Sequence, residues 1–227
     1  MNVIDLHVHT TASDGTMSPA ELVRYAKQKG LQTIAITDHD TIEGIEEGLQ
    51  EGNKLGLEVI PGVELSVDYP NGTMHLLGYL IDIYCPAFVE KLAVLQQARS
   101  ERNLKMIEKL RGVGVEIELA EVAAIAEEGQ IGRPHFAQTM VNKGYVQNIP
   151  DAFDRYLATG KPAYVDKARI DYTEAITLIR NAGGIPVLAH PGLQERDLTE
   201  TMQEFVSNLK NSGIMGIEAY YAKHSQE

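Results

Sequence analysis

Short apolar runs alternate with amphipathic helical patterns over roughly the first eighty residues. Helix-capping patterns begin at Ser18 and Asp40, and Gly30 and Gly56 are the matching stop signals. The apolar runs, which are typical of buried strands, are Val3–Val8, Thr33–Thr37, Glu58–Ile60, Val63–Val67 and Met74–Leu80. Because strands alternate with helices, the pattern predicts a mostly parallel sheet or a barrel.

Helical periodicity takes over from Pro86 to about Pro162. One long amphipathic segment is interrupted there by a polar stretch, in which we expect Arg99 and Arg102 to lie on a solvated face. The alternation of strands and helices then returns. We therefore predict that residues 1–84 and 166–227 are two parts of one barrel and that residues 85–165 are a small helical insertion.

Composition and charge narrow the class of protein. The chain has 227 residues, of which 44% are hydrophobic and 23% are charged, as in an ordinary globular protein. It has no apolar run near the roughly 20 residues that span a bilayer, and its acidic start is unlike a signal peptide. Its single cysteine, Cys85, excludes an internal disulfide and a cysteine-based zinc site. We expect a cytoplasmic protein with no membrane partner.

The net charge of −12 argues against a protein that coats DNA or RNA or binds a stable duplex. It leaves room for a small phosphorylated substrate, or for one nucleic-acid end, in a locally positive pocket. The oligomeric state stays open, and a monomer fits the composition.

Histidines are the most informative residues of the sequence. Five of the seven lie in or just after predicted strands, and acidic residues accompany them. These five are His7, His9, His39, His75 and His190. Reactive groups of strand–helix barrels gather at the carboxyl ends of the strands, so we expect these side chains to converge.

His7 and His9 are the sharpest local signal, because side chains two residues apart on a strand point to the same face. Two imidazoles on one face can bind one metal ion, although two independently hydrogen-bonded histidines remain the alternative. Asp38 or Asp40 is placed to orient the His39 ring, and Asp40 also fits a helix cap. Glu64 has two carboxylate oxygens and could bridge two cations, or face solvent on a short strand.

The motifs HVHT, SDG, TDHD, PGVE, MHLLGY and AHPG occur in this order along the chain. Together they resemble the PHP (polymerase and histidinol phosphatase) family of metal-dependent phosphoesterases. Two further segments, IGRPH and IEAYYAKHS, look like the subgroup that acts on nucleoside 3′,5′-bisphosphates and RNA 5′ ends.

The resemblance implies an α/β fold, a distorted (β/α)7 barrel, with two to three divalent ions of manganese, iron or zinc. It implies that water activated by these ions attacks phosphorus, with His7, His9, His39 and Glu64 as catalytic residues. By motif match, His7, His9 and Glu64 would hold the first ion, and Glu64, His75 and His190 the second. Asp14 and His39 would hold the third.

One family motif, a late Asp-x-His pair that completes the first and third metal sites, does not occur in this sequence. We therefore expect a barrel without its last strand and, if the chain is complete, weak binding of these two ions and impaired activity.

Substrate contacts are predicted at four positions. Arg133 precedes a helix opened by Pro134, where a cation and backbone N–H groups can jointly hold a phosphate. His135 could serve the same pocket or pack within the insertion, and Lys161 and His224 are further candidates for binding phosphate. The alternatives are a histidinol-phosphate phosphatase, a non-catalytic metal-binding module that accompanies a polymerase and, more remotely, an amidohydrolase.

Overall fold

The structure is a computed structural model, and it describes residues 3–70, 72–126, 129–193 and 201–221. The predicted substrate contact His224 lies outside these residues. Among the described residues, none of the helices has the length and hydrophobicity that a bilayer crossing requires.

Seven strands within the described residues form one curled sheet. They are β1 (Ile4–Val8), β2 (Thr33–Ile36), β3 (Glu58–Tyr69), β4 (Gly72–Tyr79), β5 (Ile170–Asp171), β6 (Ile185–Leu188) and β7 (Gly216–Ile217). Their order is β1-β2-β3-β4-β6-β7, and β5 pairs with β3. Four of the six described strand pairs are parallel, and β4 runs antiparallel to both β3 and β6. Only two residues separate β3 from β4, too few for the crossover that a parallel pair needs.

The two short strands predicted around Pro61 are one continuous strand, β3. Pro61 stays in register opposite Ile36 of β2, and Gly62 follows it within the sheet. A Cβ atom at Gly62 would lie 2.9 Å from the carbonyl oxygen of Ile36, so glycine permits this close approach. The unbroken strand carries Glu64 into the interior, where the acid is 1% exposed.

Eight α-helices within the described residues surround the sheet and form the helical segment. They are α1 (Pro19–Gln28), α2 (Ile45–Leu55), α3 (Pro86–Gly112), α4 (Leu119–Ala126), α5 (Arg133–Asn142), α6 (Ile149–Ala152), α7 (Tyr172–Asn181) and α8 (Met202–Asn211). A π-helical turn, Phe153–Leu157, follows α6, and a short 3₁₀ turn, Pro191–Leu193, follows β6. Ser18 and Asp171 cap α1 and α7 with their side chains, as their positions in the sequence suggest.

The predicted cap at Asp40 is wrong, because α2 begins five residues later, at Ile45. Asp40 has a left-handed backbone, with φ of 51°. Its carboxylate accepts hydrogen bonds from the backbone N–H of Ser66, at 2.9 Å, and from the Ser66 hydroxyl, at 3.2 Å. It also forms an ion pair with Arg99, so its oxygens are engaged away from the helix.

Helix α3 is continuous through the polar stretch that the sequence suggested as an interruption. Its first half packs Phe88 and Leu92 into the core around the sheet, whereas its second half packs Met106 and Leu110 into a separate core of the helical segment. The apolar pattern breaks where the helix passes from one core to the other. The predicted domain bounds, with an insertion at 85–165, stay a prediction.

Candidate metal centre and adjoining cavity

Five histidine rings surround the carboxylate of Glu64. Its Oε2 atom lies 3.0 Å from His7 Nε2, 3.1 Å from His9 Nε2 and 3.3 Å from His39 Nδ1. Its Oε1 atom lies 2.8 Å from both His75 Nδ1 and His190 Nε2. The structure therefore brings together the five strand-associated histidines and the acid that the sequence singled out.

Separate strands deliver these side chains to one place. His7 lies on β1 and His9 directly follows it, while His75 lies on β4 and His190 follows β6. His39 comes after β2, where the backbone still pairs with β3: the N–H of Asp40 donates to the carbonyl of Glu64 at 3.0 Å. The N–H of Glu64 in turn donates to the carbonyl of Asp38 at 3.1 Å. This short extension of the pairing holds His39 beside Glu64.

Glu218, just beyond β7, is a second acid of the cluster. Its Oε1 atom lies 3.0 Å from His7 Nδ1, and its Oε2 atom accepts the backbone N–H of His190 at 2.7 Å. The contact between His7 and Glu218 links β1 and β7, which are the first and last strands in the order of the sheet. By accepting a hydrogen bond from Nδ1 of His7, Glu218 favours the ring form whose Nε2 atom faces Glu64.

Electrostatics keep Glu64 ionised. Burial on its own raises the pKa of Glu64, but the surrounding histidines, His39 first, bring it well below its usual range. Burial likewise lowers the pKa of His7, yet its hydrogen bonds to Glu218 and Glu64 outweigh this and raise the pKa to about 10. At His39 burial prevails and lowers the pKa, which favours the neutral ring that can bind a metal.

This donor set fits divalent metal ions. The donor atoms of His7, Glu64 and His190 lie within 4.8 Å of one another, and so do those of His9, His39 and Glu64. Glu64 belongs to both groups. The buried Nδ1 atom of His39 makes no hydrogen bond in the described structure, although it lies 3.3 Å from Glu64 Oε2, which leaves its lone pair or proton available to a ligand.

Asp14 borders the cluster, whereas Asp38 and Asp40 support its surroundings. Asp14 lies 3.7 Å from His9 Nδ1 and 3.9 Å from His39 Nε2. The Asp38 carboxylate accepts three hydrogen bonds of 2.6–2.7 Å from Thr10 and Ser13, which hold the loop after β1. The contacts of Asp40 are with Ser66 and Arg99, so the orientation of His39 by either acid stays a prediction.

A cavity of about 350 Å³ adjoins the cluster. Asp14, His39, His75 and His190 line one side of it. Five cations contributed by α3, α5 and the segment before β5 line the rest: Arg99, Arg102, Arg133, Lys167 and Arg169. An acidic protein thus concentrates positive charge at one site.

Three of these cations have no carboxylate hydrogen-bonded to them within the described residues: Arg102, Arg133 and Lys167. Burial, together with the nearby Arg99 and Arg133, lowers the pKa of Arg102 to about 10. Arg102 is 5% exposed, and its Nε atom has no hydrogen-bond partner in the described structure. Burial also lowers the pKa of Lys167 to about 8. Crowded, buried cations of this kind are stabilised by an anion.

The predicted substrate contacts fall in different places. Arg133 lines the cavity, with its guanidinium 5.5 Å from the ring centre of Tyr164. His135 is absent from the described lining, and its Nδ1 accepts the N–H of Gly132 at 3.0 Å. Lys161 is exposed and also absent from that lining.

Sequence reasoning missed five residues of this region. The expectation that Arg99 and Arg102 lie on a solvated face is wrong, because both line the cavity where α3 passes between its two cores. Lys167 and Arg169 precede the buried strand β5, and their alternate spacing was the available signal. Glu218 follows β7, and its signal was its place in the motif IEAYYAKHS, directly after an apolar run.

Comparisons with known proteins agree with this geometry. The PHP domain matches residues 5–189. The 5′-3′ exoribonuclease Rnm of Escherichia coli is 39% identical over 98% of this chain and 72% of its own. The 3′,5′-nucleoside bisphosphate phosphatase of Chromobacterium violaceum is 32% identical over 98% of this chain and 78% of its own.

The chain belongs to the PHP domain family. A structure from Bifidobacterium adolescentis, described as a candidate metal-dependent phosphoesterase, matches with a TM-score of 0.90 and 29% identity. The match covers 98% of this chain and 79% of that one. The resemblance noted from the motifs is confirmed, and so is the predicted fold class, as a partial barrel of the PHP type.

We expect Glu218→Gln to lower the affinity for manganese about 10- to 100-fold, because the substitution weakens the carboxylate that orients His7. Isothermal titration with manganese measures the affinity, and circular dichroism checks that the variant folds. Glu121→Gln is the matched control, since Glu121 pairs with Lys143 far along the helical segment. Unchanged affinity in Glu218→Gln would contradict an orienting role.

Proposed function

We propose that this protein is a metal-dependent phosphoesterase that removes phosphate from nucleotides of the 3′,5′-bisphosphate type and also acts on RNA 5′ ends. The observation that carries the proposal is the cationic cavity that opens directly onto the histidine–glutamate cluster. Similar proteins named as an exoribonuclease and a bisphosphate phosphatase support the substrate class. The cytoplasm stays the predicted location.

Metal binding follows from the donor chemistry of the cluster. Imidazole and carboxylate donors suit manganese, iron or zinc, and we propose two to three such ions. Glu64 would be shared by the first two ions, with His7 and His9 on one side and His75 and His190 on the other. Asp14 and His39 would serve the third. The expected weakness of the first and third sites stays a prediction.

The reaction adds a water oxygen to phosphorus, breaks the P–O ester bond, and releases phosphate and the hydroxyl of the nucleoside. When bound, divalent ions supply Lewis acidity that acidifies water and neutralises charge on the phosphate oxygens. Glu64 fixes the separation of the ligand sets, and Glu218 holds the His7 ring in place.

The cavity cations bind and orient the substrate. Among the described residues, Arg102 and Lys167 donate only to neutral oxygens, of Asn103 and Ser66, and a phosphate group would offer them an anionic acceptor. A substrate with two phosphates suits this arrangement, because one phosphate can lie at the cluster while the other lies among the cations. The positive cavity also draws an anionic substrate to one place on an otherwise acidic surface.

Manganese-dependent release of phosphate from adenosine 3′,5′-bisphosphate is the direct test of this function. We expect Glu64→Gln to lower kcat/KM roughly 100-fold or more while the protein stays folded, because the shared ligand is lost. Glu58→Gln, an exposed position on the same strand, is the control and should retain activity.

Two other results would redirect the assignment. Turnover of histidinol phosphate without turnover of nucleotides would indicate the amino-acid pathway enzyme. A protein that binds manganese, turns over neither substrate and loses only stability in Glu64→Gln would be an accessory module.

Arg102→Met tests the role of the buried cations. We expect the KM for adenosine 3′,5′-bisphosphate to rise about 10- to 100-fold, because a charge-assisted hydrogen bond to phosphate is lost. The free energy of unfolding should not fall, since methionine removes a buried charge without an acidic partner. Arg111→Met, at an exposed position of the same helix, is the matched control. Unchanged KM would remove Arg102 from the substrate site.

A further inference from the structure

A second cavity, of about 210 Å³, lies next to the cationic one. Arg99 and Gln130 line both cavities, so these two side chains form a shared wall. Beyond the wall, the second cavity is lined mainly by uncharged groups of α3, which are Gln96, Ser100 and Asn103. Glu43 on its far side is the one acid in the described lining.

Asp40 holds both residues of the shared wall. Its carboxylate forms the ion pair with Arg99, and its backbone carbonyl accepts the Nε2 hydrogen of Gln130 at 3.1 Å. Asp40 directly follows His39, which belongs to the histidine–glutamate cluster. The wall is therefore fixed in position next to the place where the phosphate ester would be cleaved.

The chemistry of the second cavity differs from that of the first. The Oε1 atom of Gln130 is buried and has no hydrogen-bond partner in the described structure. An amide oxygen needs an N–H or O–H donor, and an ionised phosphate has neither. The hydroxyls and amino groups of a nucleoside are such donors, so the Gln130 oxygen favours a nucleoside over a phosphate as its partner.

We propose that the second cavity binds the second nucleoside of a 5′-phosphorylated RNA end, with Arg99 contacting the phosphate that links it to the first. This inference rests on the proposed function and extends it from single nucleotides to a chain. The first nucleoside has its own surroundings in the cationic cavity, where the rings of Phe153 and Tyr164 line the wall.

The test compares two 5′-phosphorylated ligands of equal charge: the methyl 3′-diester of adenosine 3′,5′-bisphosphate and the dinucleotide pApA, which carries the second nucleoside in place of the methyl group. Their dissociation constants are measured by isothermal titration without added metal. We expect pApA to bind about tenfold more tightly, as one or two added hydrogen bonds would give. Ser100→Leu, which places an apolar side chain in the second cavity, should abolish this advantage.

Gln97→Leu is the matched control, because Gln97 is an exposed neighbour on α3 that is absent from the described lining of either cavity. It should keep the advantage of pApA. Equal affinity of the wild-type protein for the two ligands, or an advantage that survives in Ser100→Leu, would overturn the inference. Failure of the proposed function looks different: neither ligand would be hydrolysed with manganese, whatever their affinities.

Discussion

The burial of one carboxylate among five imidazoles is the interaction on which the rest of the structure depends. An ionised Glu64 at 1% exposure is costly unless its charge is compensated on both oxygens. The compensation comes from four strands and the segments that follow them, so the sheet must curl enough to bring β1 and β6 to the same carboxylate. Glu218 strengthens this arrangement from β7. The fold and the proposed metal centre are thus two consequences of the same constraint.

Charge is distributed in a way that serves a phosphorylated ligand. The protein carries a net charge of −12, yet five cations line one cavity beside the cluster. Asp40 connects the two regions: it follows His39, accepts hydrogen bonds from Ser66, and pairs with Arg99. Through this ion pair with Arg99 of α3, Asp40 joins the helical segment, which supplies cations, to the sheet, which supplies histidines.

Much of this could be predicted from the sequence, for physical reasons. The cap at Ser18 is a local hydrogen-bond pattern, and the apolar runs that became β1, β2 and β4 are short segments with clear ends. The histidines were identifiable because strands carry them. The positions that the sequence predicted wrongly depend on tertiary contacts between distant residues. The sequence around Asp40 is typical of a helix cap, but contacts with Ser66 and Arg99 hold its carboxylate elsewhere. The polar stretch with Arg99 and Arg102 predicts an exposed surface, because the sequence does not show that α3 packs against two separate cores.

Anomalous X-ray diffraction at the manganese edge, from crystals grown with manganese, tests the central claim most directly. The account predicts manganese peaks beside both carboxylate oxygens of Glu64, each also bounded by histidine nitrogens of the cluster. Manganese found elsewhere, with Glu64 still hydrogen-bonded to its histidines, would contradict it.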